Sequence, residues 1–565
     1  MRATKYATWM ISKALIFLTL IGLISAVHAN PGNRLGINVS PLHKLTSSVP
    51  FIDIFKVSRG WITSCEFDWQ KNHAIDPGCT KRTAFNTNES HLVSLDRNGW
   101  VKRLPSRGES PIFTTVNSIW DMPPHFPLGD YFITYQGDGD ISVHGDIDVK
   151  QQRAGRIDFK LKSSKGLRIH LKSTNPRNYI RNIKVIPKKY ESIYRTQTFN
   201  PEYLRTIRPF NALRFMPWQN TKDTQLRNWN ERTTPAHAHY YNNAGMPVET
   251  MVDLANTINA APWFSMPHLA TNGFIANFAR MVKQRLKPGQ KVYVEYSNEV
   301  WNMMYPATHH AAREGLKLWP RAYPKLNMNS RKMKLALNYL GKRTKEICGI
   351  WKQAFGGRRN DVVCVLSSYA GGPTLGEEAL SCPLVGGQPC SKFIDAYAVG
   401  PYFGDYIARI ENRNLVRNWS RQGGRGMNNL FTELLRGGLV RDEYPGGAME
   451  RLTALRIKPN VELARKHGLK LLGYEGGQHL LRVDRPHIIH DEKIFEFFAK
   501  ANQNPRMAQV YSKYLNTWRN QGGGLLMHFN GIATINNHSY FGMLDNVEQH
   551  SSPKYNALVG FLRGR

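Results

Sequence analysis

Acidic residues are scarce in this 565-residue chain: 42 Asp and Glu stand against 76 Lys and Arg, a formal charge of +34. That imbalance favours polyanionic surroundings, whether nucleic acid, anionic lipid or acidic polysaccharide, and does not by itself choose among them. Cysteines number six, and no two have the close CxxC spacing of a zinc site. The phosphate-cradling GxxxxGK[ST], the GxSxG elbow and HExxH are all missing, so nucleotide, esterase and metalloprotease chemistry lack their motifs. The run Gly522-Gly523-Gly524 leads into an apolar segment instead of opening a helix. No repeat of solenoid period occurs. With 41% hydrophobic and 11% aromatic residues, disorder as the main state is excluded as well.

What is present begins with an export leader. Arg2, Lys5 and Lys13 precede an apolar run from Ala14 to Val27, and Val27-His28-Ala29 reads as a cleavage signal, making residues 1–29 a signal peptide. The run is shorter than the about 20 residues of a membrane span, and no later run reaches that length, so no membrane insertion is expected after cleavage. An exported chain, periplasmic or extracellular, meets cell walls and extracellular polymers first. Nucleic acid is therefore not the expected partner; a polysaccharide, including an acidic one, is. The 73 basic residues left after cleavage still outnumber 42 acidic ones by 31. An even set of six cysteines in an exported chain reads as three local bridges: Cys65 with Cys79, Cys348 with Cys364, and Cys382 with Cys390. For Cys364, inside an apolar run, a free buried thiol is the alternative.

The hydrophobic period changes along the chain. Residues 30–87 hold one apolar strand, Leu35 to Ser40, and a connecting segment. Within 88–195 the pattern alternates, as in Ile157, Phe159, Leu161 and again Leu167, Ile169, Leu171, with turn signals between the runs. That is the pattern of an inserted β-sandwich. Across 196–565, short apolar strands alternate with amphipathic helical stretches: Ala212 to Trp218, Ala261 to Pro267, Val292 to Ser297, Val362 to Ser367, Ile394 to Val399, Leu469 to Glu475 and Gly524 to Phe529. With the strand at Leu35 the count is eight, which predicts a (β/α)8 barrel, of α/β class, with the sandwich inserted after its first strand.

Barrel chemistry belongs at the C-terminal ends of the strands. The fourth strand ends in Ser297-Asn298-Glu299-Val300-Trp301-Asn302 and the seventh in Tyr474-Glu475-Gly476-Gly477. Two carboxyls facing each other across a barrel mouth are what glycoside hydrolysis needs, one to protonate the leaving oxygen and one to attack or to activate water. The Asn298 amide has a use beside them, holding the sugar 2-hydroxyl as charge develops at the neighbouring carbon. Trp218, Trp263, Trp301, Tyr305 and His268 lie near strand ends and are expected to line sugar subsites, or else to pack beneath loops.

The pair formed by Asn298-Glu299 and Glu475, with the stretch from Val292 to Asn302 and the early sandwich, resembles clan A of the glycoside hydrolases. It is similar most closely to bacterial exoproteins labelled cellulose-binding or carbohydrate-binding. The resemblance runs from Leu35 to the C-terminus and implies a retaining enzyme with Glu299 as acid/base, Glu475 as nucleophile and no cofactor. It also implies that Arg214 and Tyr402 position the nucleophile and substrate. His528-Phe529 stands where the clan has a Trp, which places His528 at the substrate, and Gly400 stands where a clan subset has His. The alternative is a noncatalytic carbohydrate-binding exoprotein that keeps the cleft without turnover.

Other residues have plainer readings. Glu295 shares strand parity with Glu299 and is expected inside the barrel as a buried ion pair with Arg214. Asp138-Gly139-Asp140 is a turn, and His237 with His239, lacking a third ligand, belongs to a substrate-side or solvated loop; no metal is expected. Arg156, Lys160, Lys162, Arg168 and Lys172 of the sandwich form an acidic-polymer face if they lie together, and otherwise a solvated basic surface.

Overall fold

The computed structural model describes residues 34–564 apart from 43–46, 69, 107, 111–114, 442–443, 481–490 and 535–539. The leader at 1–29 lies outside the described residues. The strands, in chain order, are β1 (Leu35–Asn38), β2 (Ile62–Ser64), β3 (Thr115–Trp120), β4 (Gly129–Gln136), β5 (Gly139–Gly145), β6 (Ile147–Arg153), β7 (Arg156–Leu161), β8 (Leu167–Thr174) and β9 (Arg181–Pro187). There follow β10 (Ala212–Arg214), β11 (Ala261–Met266), β12 (Val292–Tyr296), β13 (Val362–Ser367), β14 (Ala396–Val399), β15 (Lys470–Gly473) and β16 (Leu526–His528). Six further short strands form three ladders outside these sheets, Phe67–Asp68 with His73–Ala74, Ser94–Leu95 with Val101–Arg103, and Tyr402–Phe403 with Gly477–Gln478. β1 and β10 to β16 close a parallel barrel of eight, with β1 pairing both β10 and β16. The expected (β/α)8 fold is what the chain adopts.

Strands covered on both sides are apolar throughout, and β11 and β13 have that character. Trp263, Tyr293, Val365, Ala396, Leu472 and Met527 fill the barrel interior. Gly36 belongs to this packing, because a β-carbon there would run into Met527 and the Ala212 carbonyl. Helices such as Asn272–Arg285 and Met328–Phe355 start on the side-chain caps Thr271 and Asn327 and bury one face against the strands. Among the described residues no helix is long and apolar enough to cross a membrane.

The insertion between β1 and β10 holds two four-stranded antiparallel sheets, ordered β6-β7-β4-β9 and β2-β3-β8-β5. Ile157, Phe159 and Leu161 of one meet Leu167, Ile169 and Leu171 of the other in a shared core. β2 lies upstream of residue 88, where the alternation begins; three residues are too few to show a period, and β2 is recruited by pairing Ile62 with Asn117 and Ser64 with Thr115. The sandwich core runs on into the barrel through Phe55, whose ring stacks on Trp100 at 5.6 Å and packs on His239 at 4.9 Å. His239 is thus a core residue hydrogen-bonded to Ser58 Oγ, and not part of a substrate-side loop as expected.

All three expected disulfides are present. Cys348–Cys364 ties the helix Met328–Phe355 to β13, and no described cysteine is free. The five basic sandwich residues do not share a face. Arg156 and Lys160 sit on β7, with Lys162 just beyond it, whereas Arg168 and Lys172 sit on β8 of the other sheet. Several are neutralised locally, Arg156 by Asp158 and Glu191 and Lys172 by Glu66.

Candidate active site

The C-terminal mouth of the barrel is organised by one buried cation. Arg214, the last residue of β10, is 0% exposed, and all five of its N–H groups have acceptors within 3.0 Å. Nε (2.8 Å) and Nη2 (2.6 Å) meet Glu295 Oε1, Nη1 meets Asn38 Oδ1 and Glu475 Oε1, and Nη2 meets Asn298 Oδ1. A guanidinium desolvated this completely is tolerable only with such pairing. Glu295 is satisfied in turn by Ser265 Oγ and Ser367 Oγ, both at 2.6 Å. The expected Arg214–Glu295 ion pair is therefore present, and it lies beneath the site. Arg214 itself, fully buried, holds Glu475 and Asn298 in place from below.

Glu475 follows β15 directly. Arg214 Nη1 donates to its Oε1 at 2.9 Å and the Tyr402 hydroxyl donates to its Oε2 at 2.9 Å. Burial, reinforced by Glu475, raises the Tyr402 phenol well above its ordinary range, so it remains a donor. Asn38 supports the other side by donating to the Tyr474 carbonyl at 3.0 Å.

Glu299 is held by different partners. The backbone turns sharply after β12, with Ser297 and Glu299 at φ of 56° and 46°, a left-handed geometry that non-glycine residues seldom take. The Tyr474 hydroxyl donates to Glu299 Oε1 at 3.1 Å and Asn302 Nδ2 donates to Oε2 at 3.0 Å. Burial, followed by the charge of Glu475, pushes the Glu299 carboxyl up to about 7. The Asn298 amide gives its oxygen to Arg214, and its Nδ2 has no partner among the described residues.

Lys222, on the turn after β10, lies beside this pair with Nζ 5.2 Å from the Tyr305 ring centre. Burial opposes its charge, but Glu475, Tyr305 and Glu299 outweigh that, holding its ammonium above the ordinary range. The half-buried Trp301 ring is 4.8 Å from the exposed Tyr369, and its Nε1 is unpartnered among the described residues. His268 is nearly buried; burial, His310, Arg227 and Arg313 lower it to about 4, so it is neutral, with Nδ1 unpartnered.

Three expected subsite residues lie elsewhere. Trp218 is 2% exposed, donates from Nε1 to the Ser40 carbonyl and packs on Phe215 and Phe51. Trp263 stacks on Tyr293 at 5.2 Å inside the barrel. His528 is 1% exposed, with Nε2 on the Tyr511 hydroxyl and Nδ1 on the Asn530 carbonyl, and burial, then Lys554, lowers it to about 3. It is a satisfied core histidine. The neighbouring Phe529 instead packs toward Tyr402, at 6.4 Å.

Asn38, Lys222, Asn302 and Tyr474 were not anticipated. Asn302 and Tyr474 stand in the same short segments as the two glutamates, which was a usable signal; Asn38 and Lys222 reach the site only through barrel closure and a loop turn.

No protein-family model and no curated protein matches the chain. Among solved structures the chain is similar to an endo-1,4-β-xylanase from Caldicellulosiruptor owensensis, with 12% identity over 64% of this chain and 92% of that one and a TM-score of 0.32. It is similar also to a xyloglucan-specific endo-β-1,4-glucanase from a metagenomic library, with 13% identity over 66% and 90% and a TM-score of 0.35. A third likeness is to a Bacteroidetes-affiliated cellulase linked with a polysaccharide utilization locus, with 11% identity over 64% and 86% and a TM-score of 0.36. None of these likenesses carries an argument about chemistry.

Proposed function

We propose that the chain is an exported glycoside hydrolase acting on a polysaccharide by retaining double displacement. The observation that carries this reading is the unequal treatment of two neighbouring carboxyls: Glu475 is ion-paired with Arg214, whereas burial and the Glu475 charge push Glu299 up to about 7. Environments that separate two carboxyls in this way divide them into nucleophile and acid. Glu475 attacks the anomeric carbon as Glu299 gives its proton to the departing oxygen, leaving a glycosyl ester on Glu475. Glu299, now a carboxylate, takes a proton from water; the water oxygen attacks the same carbon and Glu475 leaves. Tyr402 and Arg214 fix the Glu475 oxygens, and the free Asn298 donor suits the sugar 2-hydroxyl.

Three disulfides fit an oxidising compartment and so support export. A cleft that only binds carbohydrate has no need of Tyr474 and Asn302 on one carboxyl and Arg214 and Tyr402 on the other. The test is release of reducing ends from a panel of neutral and acidic polysaccharides, run beside Glu475→Gln. Release by the native chain and none by the variant is expected; release by neither, on every polymer, contradicts the reading.

A further inference from the structure

Lys222 is a cation that the proposed chemistry does not use. Its turn is fixed: Thr221 and Thr224 are buried, Thr221 Oγ1 donates to the Met216 carbonyl, and the Thr224 amide donates to that of Asn220. The ammonium is thus delivered to the mouth of the barrel by a rigid support. Arg214 already serves Glu295 and Glu475, whereas Lys222 has no carboxylate within ion-pair distance among the described residues. What it has is Tyr305, whose ring centre lies 5.2 Å from Nζ and whose hydroxyl takes one of its hydrogen bonds, an arrangement that steadies a cation and leaves its other N–H donors without a partner among the described residues. A half-buried ammonium that keeps donors beyond the one given to Tyr305, beside two carboxyls, is chemically suited to a third anion, one that arrives with the substrate.

We infer that Lys222 binds an anionic substituent of the reacting sugar, so that the polysaccharide is acidic, carrying uronate carboxylates or sulfate esters. The inference rests on the glycosidase reading for the word "reacting", but its binding content stands apart from turnover. It also locates the recognition of acidity in the cleft, not on the sandwich, whose basic residues are divided between two sheets.

The test uses the full chain carrying Glu299→Gln, which keeps the Glu475 charge and removes the proton donor. Calorimetry compares oligouronates with their carboxyl-reduced counterparts, and sulfated oligosaccharides with their desulfated counterparts; the pair that shows a preference identifies the anion. The acidic member of one pair is expected to bind about tenfold or more tightly than its neutral partner, as a charge-assisted hydrogen bond allows. Adding Lys222→Met should remove that preference, and Lys222→Arg should retain most of it. Equal binding of both members, an equal loss for both on Lys222→Met, or binding by no acidic member overturns the inference. Acid-selective binding in a native chain that releases no sugar would instead sink the glycosidase reading and leave Lys222 as an anion receptor.

Discussion

The Tyr402 hydroxyl sits 2.9 Å from Oε2 of Glu475, on the oxygen that Arg214 leaves untouched. Each oxygen of the proposed nucleophile therefore has its own donor, one charged and one neutral. Replacing Tyr402 by Phe removes one hydrogen bond to a charged group while keeping the ring against Phe529 and Phe541. Turnover should fall about 10- to 100-fold, with little change in melting temperature. Steady-state kinetics beside a thermal melt checks this, and an unchanged kcat removes Tyr402 from the mechanism.

Arg214 is expected to matter for stability as much as for catalysis. Arg214→Met leaves Glu295 buried without its cation, and breaking a buried pair in this way costs about 3–5 kcal/mol. Adding Glu295→Gln removes the stranded charge, so the double variant should recover much of the stability and none of the activity. Denaturant unfolding of the single and double variants measures the coupling; additive losses contradict it.

The pH profile follows from Glu299. A general acid works only while protonated, so with its carboxyl at about 7, kcat/KM should fall as pH rises through neutrality. Asn302 and Tyr474 both hold that carboxyl down by hydrogen bonding. Asn302→Ala should therefore move the alkaline limb to higher pH. A limb that stays in place, or moves lower, shows that another group titrates there.

Of the three disulfides, Cys348–Cys364 is the one that joins a helix to a barrel strand. Closing a loop of this size stabilises by about 3 kcal/mol, and the paired Cys348→Ala, Cys364→Ala chain should be weaker by roughly that amount. Denaturant midpoints of native and variant chains provide the measure, and equal midpoints contradict it.

The barrel was legible because its strands are apolar runs separated by amphipathic helices, and eight such runs admit few closed arrangements. The glutamates were legible for the same reason, since each stands where a run ends. What stayed hidden depended on direction. Trp218 and His528 are near strand ends as expected, but proximity along the chain does not say whether a side chain faces the mouth or the packed wall, and both face the wall. Lys222 carried no signal among 76 basic residues, because only the turn after β10 brings it beside Glu299 and Glu475. Asn38 reaches Tyr474 only through closure of the barrel, and no local pattern encodes a contact between residues so far apart in sequence.

The central claim is that Glu475 forms a covalent sugar ester while Glu299 shuttles the proton, and the most direct measurement is azide rescue with an activated aryl glycoside that the native chain hydrolyses. Such a leaving group departs with little protonation, so Glu299→Ala should still form the ester and stall at its hydrolysis. Azide needs no general base. It should restore turnover in Glu299→Ala and yield, by NMR, a glycosyl azide with the configuration of the substrate, while Glu475→Gln is not restored to a retained product. An azide product of opposite configuration in Glu299→Ala, or normal hydrolysis by Glu475→Gln, would contradict the account.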